Sequence, residues 1–270
     1  MKKVSIFIPY KKQGEGEELK LALRSIAKNC NFEYEIIIVG DCPDWLNTDE
    51  AIHFNPHIPA AGEFPKAWNV IGKLKSLLES HDMDKMLLTY DDIIFLKPVT
   101  HKDISKTIAL APLPDAADKL NGTASDVWKQ IMHNTIKALK RNNLPSLNFE
   151  THLPRLFDAK KLSEMMVLFG FQKRPYCFST LYFNWLKSKE KPLVLSEIPD
   201  QKIKAGIYFP GDFEKYAPVL EEYTYLNWSE QYWSPELENT LLELFPEPSI
   251  FEKDISTNNL SPNDEASNAL

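Results

Sequence analysis

Apolar positions in this chain come first as short unbroken runs and then as helical stripes. Val4 to Pro9 is β-branched and aromatic and is closed by a proline, which predicts a buried strand. Glu17 to Asn29 carries Leu19, Leu21, Leu23, Ile26 and Ala27, with acids at its start and Lys28 near its end, the pattern of an amphipathic helix. Glu35 to Asp41 holds a second apolar run that ends in a turn. Strand, helix, strand at this spacing predicts a right-handed parallel βαβ unit. Ala51 to Phe54 reads as a short third strand, and Phe64 to Ser80 as a second helix striped by Trp68, Ile71, Leu74, Leu77 and Leu78. Lys85 to Tyr90 is the next strand, and it runs straight into Asp91-Asp92. Residues 1–100 therefore read as an α/β, doubly wound nucleotide-binding half.

Residues 101–252 read as a second, helix-rich half. Ala124 to Asn142 and Ala159 to Gly170 have helical spacing, with a loop from Leu144 to Pro154 between them. Lys173 to Tyr208 reads as β-rich or mixed, with Phe178, Leu181, Tyr182 and Phe183 as its apolar content. Asn227 to Phe245 is polar and then helical, and residues 253–270 are expected to form a disordered tail. With no internal repeat and no linker, 1–252 is expected to be one domain with a helical insertion.

Charge and cysteine usage narrow the function. The net charge of −7 lacks the basic stripe that coats nucleic acid, so a nucleic-acid partner is not expected. No apolar run is long enough to span a bilayer, and the basic start at Met1 is followed by too short an apolar run for a signal peptide. Cys30, Cys42 and Cys177 follow no metal spacing and are odd in number, which points to free thiols and a cytoplasmic location.

The candidate chemistry centres on Asp91 and Asp92. Two adjacent carboxylates at the end of an apolar strand are costly unless water or a cation satisfies them, and ligands in open α/β sheets sit at the carboxyl ends of strands. Carboxylate oxygens suit Mg²⁺ or Mn²⁺, the ions that accompany a nucleotide diphosphate. Neighbouring side chains on an extended strand point to opposite faces, so both acids can serve one ion only if the chain turns there. A solvated turn is the plain alternative. His152 is a candidate general base or metal ligand, its alternative a loop histidine bonded to backbone. Glu150 is a weaker base candidate, and Arg24, on the first helix, can reach a phosphate or lie along a half-buried face.

Several blocks also resemble the Stealth family of sugar-phosphate transferases. Glu18 to Asn29 resembles its "ELxxxLRSI" helix, and Ile36–Asp41 with Pro43–Leu46 its "I-IV-D--P-WL" stretch. Tyr90 to Val99 is similar to "NDDxFFLKPV", Glu150 to Pro154 to "xxHxP", and Leu244 to Glu252 to "FPxPSxFE". Tyr225-Leu226-Asn227-Trp228 stands where the family has an Asn-Asp pair, so Trp228 replaces an Asp, and Tyr90 replaces an Asn. Val4 to Lys12 looks instead like the "IPxYN" opening of GT-A glycosyltransferases. The resemblance implies a GT-A-like (Rossmann-like), mainly parallel sheet, a nucleotide-sugar donor, a glycan or other hydroxyl acceptor, and a role in surface glycan synthesis. It implies Asp91 and Asp92 at the metal, His152 and Asp92 in catalysis, and Arg24, Asp41, Lys66, Asn69 and Asn227 on the donor. The Stealth version transfers sugar-1-phosphate, and the GT-A version transfers the sugar itself. An inactive sugar-binding module is the alternative from another class.

Overall fold

A computed structural model describes residues 3–12, 14, 16–58, 64–110, 112–113, 123–186, 193–194 and 202–253. In chain order the elements begin with β1 (Val4–Tyr10), α1 (Glu17–Asn29), β2 (Cys30–Asn31), β3 (Tyr34–Gly40), β4 (Ala51–Phe54) and α2 (Pro65–Ser80). Then come β5 (Lys85–Leu88), β6 (Ile93–Phe95), β7 (Val99–Thr100), α3 (His101–Ile104), β8 (Ile108–Ala109) and α4 (Thr123–Arg141). β9 (Arg155–Asp158), α5 (Ala159–Leu168), α6 (Phe178–Leu186), β10 (Leu193–Val194), β11 (Lys204–Ile207), α7 (Asp212–Tyr216), β12 (Tyr225–Trp228) and α8 (Pro235–Leu244) follow.

The main sheet has the order β4-β3-β1-β5-β9. β4, β3, β1 and β5 are parallel, and β9 closes the edge antiparallel to β5. Both faces are covered, which is why the strands read as unbroken apolar runs. Phe7, Ile37, Val39, Met86 and Leu88 face the core shared with α2, α4, α5 and α6. Ile6, Ile8, Ile36, Ile38 and Leu87 face the opposite core, which takes the apolar stripe of α1. A smaller sheet, β11-β12-β6, is parallel between β11 and β12 and antiparallel between β12 and β6. The pairs β2–β7 and β8–β10 are short parallel additions.

The apolar stretch around Phe178, in a segment expected to be β-rich or mixed, is a helix, α6, and the strands β10 and β11 follow it in the same segment. Phe178 to Asn184 are all buried, between α4, α5 and the sheet, so the stretch lacks the polar face that would have given it helical periodicity. The expected disordered tail falls, from residue 254 on, outside the described residues.

Candidate active site

Three strand ends meet where the acidic pair lies. Parallel pairing puts the carboxyl ends of β1, β3 and β5 on one side of the sheet, and the order reverses about β1, which opens the crevice typical of doubly wound sheets. Asp91 and Asp92 occupy the turn between β5 and β6, closed by the Ile93 N–H donating to the Tyr90 carbonyl at 3.2 Å. The chain therefore turns at the pair, the condition under which adjacent acids can share a ligand. β9 pairs with β5 so that Arg155 stands opposite Leu88, which brings His152, three residues earlier, to the acids. β12 pairs with β6 so that Asn227 stands opposite Ile93.

The resulting network is specific about protons. His152 Nδ1 is 3.7 Å from Asp92 Oδ2, and its ring stacks on Tyr90 with centroids 5.5 Å apart. Asn227 Nδ2 donates to the His152 carbonyl at 2.8 Å and to Nδ1 at 2.9 Å, while Oδ1 accepts the Tyr208 hydroxyl at 2.5 Å. A carbonyl oxygen only accepts, so the amide nitrogen must face it, and Nδ1 then faces a donor. The imidazole is neutral, with its proton on Nε2. Burial, with Lys204 and Arg155 nearby, lowers its pKa to about 3, even though the side chain keeps 42% of its surface open. In this state Nδ1 is engaged by Asn227, and the ring lies between Tyr90 and Asp92. What His152 can offer is an N–H donor. Its backbone has φ 52°, an uncommon left-handed conformation for a non-glycine residue, held by these bonds.

Asn227 is fully buried; its amide nitrogen bonds to His152 and its oxygen to Tyr208, so it positions the histidine. Trp228, in place of the acid of the resembling family, donates from Nε1 to Glu18 Oε1 at 2.8 Å.

The acids themselves are poorly satisfied. Burial, reinforced by Glu18, raises Asp91 to about 7, and burial with the neighbouring Asp91 raises Asp92 well above the usual carboxylate range. Asp92 Oδ1 is buried without a hydrogen-bond partner. Two cations face the pair. Lys73 Nζ donates to the Tyr10 carbonyl at 2.5 Å, and its charge is felt by both Asp41 and Asp91. Lys204 Nζ donates to the Thr151 carbonyl at 2.9 Å, lies 5.0 Å over the Tyr208 ring and interacts with Asp92. Burial lowers Lys204 to about 8. Hard carboxylate donors with an orphaned oxygen fit a divalent ion. Among the described residues no group of three or more His, Cys, Asp or Glu is arranged to hold a metal, so such an ion would need further ligands from water or substrate.

The other expected residues divide. Asp41, after β3, accepts the Lys12 N–H at 2.8 Å beside the Lys73 charge, so it borders the crevice. Gly40 before it has φ 134°, and a Cβ there would collide with the Tyr10 carbonyl. Lys66 lines a cavity that reaches Tyr90, whereas Asn69 is exposed and does not line it. Arg24 is paired with a carboxylate. Its Nε and Nη2 form a bidentate pair with Glu252 at 2.8 and 2.7 Å, and Nη1 donates to the Phe245 carbonyl at 3.1 Å. Glu150 is likewise occupied, accepting from Arg155 and from the Thr180 N–H. The sequence reading missed Glu18, Lys73, Lys204 and Tyr208. Lys73 had a signal, since it falls among Ile71, Leu74 and Leu77 on the buried face of α2. Lys204 and Tyr208 had none, because their place depends on the register of β11 against β12.

No protein-family model matches the chain, and no curated protein does. A solved structure of the bifunctional glycosyltransferase WbbM, in its apo form, superposes with TM-score 0.51 at 12% identity. The match covers 91% of this chain and 50% of WbbM, so this chain spans about half the length of that protein. The fold is of the GT-A glycosyltransferase type. The galactosyltransferase LgtC, solved with donor and acceptor sugar analogues, matches at TM-score 0.49 and 11% identity over 92% of this chain and 98% of its own. Among the described residues no helix is long and apolar enough to cross a membrane.

Proposed function

We propose that the chain is a nucleotide-sugar-dependent glycosyltransferase. The observation that carries this reading is the pair of half-buried carboxylates, one Asp92 oxygen of which has no partner, at a turn beside the carboxyl ends of β1, β3 and β5, in a GT-A-type fold. An acceptor hydroxyl forms the new bond to the anomeric carbon of the donor sugar, and the nucleoside diphosphate leaves. Asp91 and Asp92 are the residues that would hold Mg²⁺ or Mn²⁺. When bound, such an ion offsets the charge of the donor diphosphate. Asp41 and Lys73 border the crevice on the β1–β3 side, where the nucleoside would lie. Lys204 and the Nε2–H of His152 stand on the other side, as donors aimed at charge that develops on the leaving group. Asn227 and Tyr208 fix the His152 tautomer. Asp92, with one oxygen unpartnered, is placed to take the acceptor proton when Asp91 is the principal metal ligand.

A second reading, transfer of sugar-1-phosphate as in the Stealth family, is favoured by one observation. Three blocks of that resemblance converge on this site: Tyr90-Asp91-Asp92, His152 and Asn227. A screen of nucleotide-sugars with Mn²⁺ and Mg²⁺ separates the two by product. Nucleoside diphosphate is expected, and nucleoside monophosphate would replace the first reading by the second. Nucleotide binding without turnover of any donor would leave a sugar-binding module.

A further inference from the structure

Beyond the acids, on the α2 side of Tyr90, lies a cavity of about 570 Å³ bounded by α2, α4 and the start of α6. Its walls are aromatic: Phe64, Tyr90, Trp128, Tyr176 and Phe178 contribute. Among the described residues that line it, only Lys66 and Glu150 carry charge. Lys66 is exposed, and both Glu150 oxygens already accept hydrogen bonds, from Thr180 and Arg155. A sugar placed there would lose its hydration and find few replacement hydrogen bonds, whereas an apolar group loses nothing polar on entering. The volume falls within the usual range, roughly 300–1,000 Å³, of pockets that enclose a small ligand. The mouth is apolar as well, since Val127 and Trp128 keep 46% and 36% of their surface exposed. Continuity with the site is direct: Tyr90 lines the cavity, precedes Asp91 in sequence and stacks on His152.

We infer that this cavity is an acceptor subsite for an apolar aglycone, an alkyl or aryl group attached to the acceptor sugar. The assignment rests on the glycosyltransferase reading for the word acceptor, and on the cavity alone for the preference. An acceptor held there by its apolar end presents its sugar toward Asp92 across Tyr90. The cavity therefore selects acceptors by what they are attached to, in addition to the sugar itself.

The test is direct binding, without donor, of methyl, phenyl and octyl β-D-glucosides below their micellar concentrations, followed by calorimetry. Octyl glucoside is expected to bind at least about a hundredfold more tightly than methyl glucoside, because several methylenes leave water. The phenyl glucoside falls between them. Ala67→Phe, which fills the cavity from α2, and Val127→Arg, which charges its exposed mouth, should each bring octyl binding to the methyl level. Val167→Arg, at an exposed position on α5 that does not line the cavity, should change nothing. If Ala67→Phe fails to fold, Val127→Arg carries the test. Equal affinity for methyl and octyl glucosides, or an octyl preference that survives these variants, overturns the inference. A strong octyl preference in a protein that turns over no nucleotide-sugar would sink the transferase reading and keep the apolar site. A flat preference with good turnover would do the reverse.

Discussion

Glu252 and the Asp91–Asp92 pair are all drawn into the protein between elements far apart in sequence, yet only Glu252 has its charge met. Arg24 grips it with two parallel hydrogen bonds, its side chain 11% and that of Glu252 9% exposed, and the Ser249 N–H adds a third at 2.7 Å. Burial acts to raise Glu252, but Arg24 and Ser249 outweigh it and its pKa is lowered. Around this pair the chain is clasped. Lys28 donates to the Leu244 carbonyl, the Asn47 N–H to Phe251 and the Lys253 N–H to Trp45. At the acidic pair the balance runs the other way: burial wins, the pKa values rise and one oxygen has no partner. A buried charge with its partner built in holds the chain together. One without a partner is costly to keep, and that cost makes sense where a ligand supplies the missing charge. The resemblance blocks sort the same way. "LRSI", "P-WL" and "FPxPSxFE" meet at the clasp, while the aspartates, "HxP" and the Asn227 strand meet at the site.

This contrast can be broken by experiment. The largest effect is expected from Asp92→Asn and Asp91→Asn. Each should lower turnover by about a thousandfold, roughly 4 kcal/mol in the barrier, without loss of thermal stability, because a strained charge is removed. The same variants should lose the rise in melting temperature that saturating Mn²⁺ gives the parent. Retained turnover in both would put the chemistry elsewhere. Arg24→Ala should do the opposite, costing about 3 kcal/mol in denaturant unfolding by stranding Glu252, while Mn²⁺ still stabilises the protein. If donor affinity collapsed and stability did not, Arg24 would be a ligand after all.

The next effect is on pH. Glu252 has a folded pKa below its ordinary value of 4.5, so its contribution is present above that value and is lost as pH falls through the folded one. Melting curves of Glu252→Gln should therefore lose acid sensitivity in that window, and parallel curves for parent and variant would contradict the clasp. Smallest is Tyr208→Phe, which frees one lone pair on Asn227. About 1 kcal/mol of stability and roughly tenfold in turnover are expected to go, with no change in Mn²⁺ response. Full activity would mean that the His152 tautomer needs no such brace.

Sequence by itself determined the sheet and the acids. β1, β3, β4, β5, α1 and α2 stand where the apolar runs and stripes put them, because short-range patterning and burial on both faces leave such segments few alternatives. It also marked Asp91 and Asp92, since two charges at the end of an apolar strand are conspicuous in one dimension. Tertiary structure alone decided what each polar side chain meets. Arg24 became a clasp because Glu252 comes back to it across 228 positions. His152 Nδ1 is engaged because strand pairing brings Asn227 to it, and Lys204 came to Asp92 through β11. α6 was hidden from the linear pattern because Phe178 to Asn184 are all buried. Hydrogen bonds and charges act over a few ångströms, and which groups lie that close is fixed by strand register and packing between segments that the linear pattern leaves far apart.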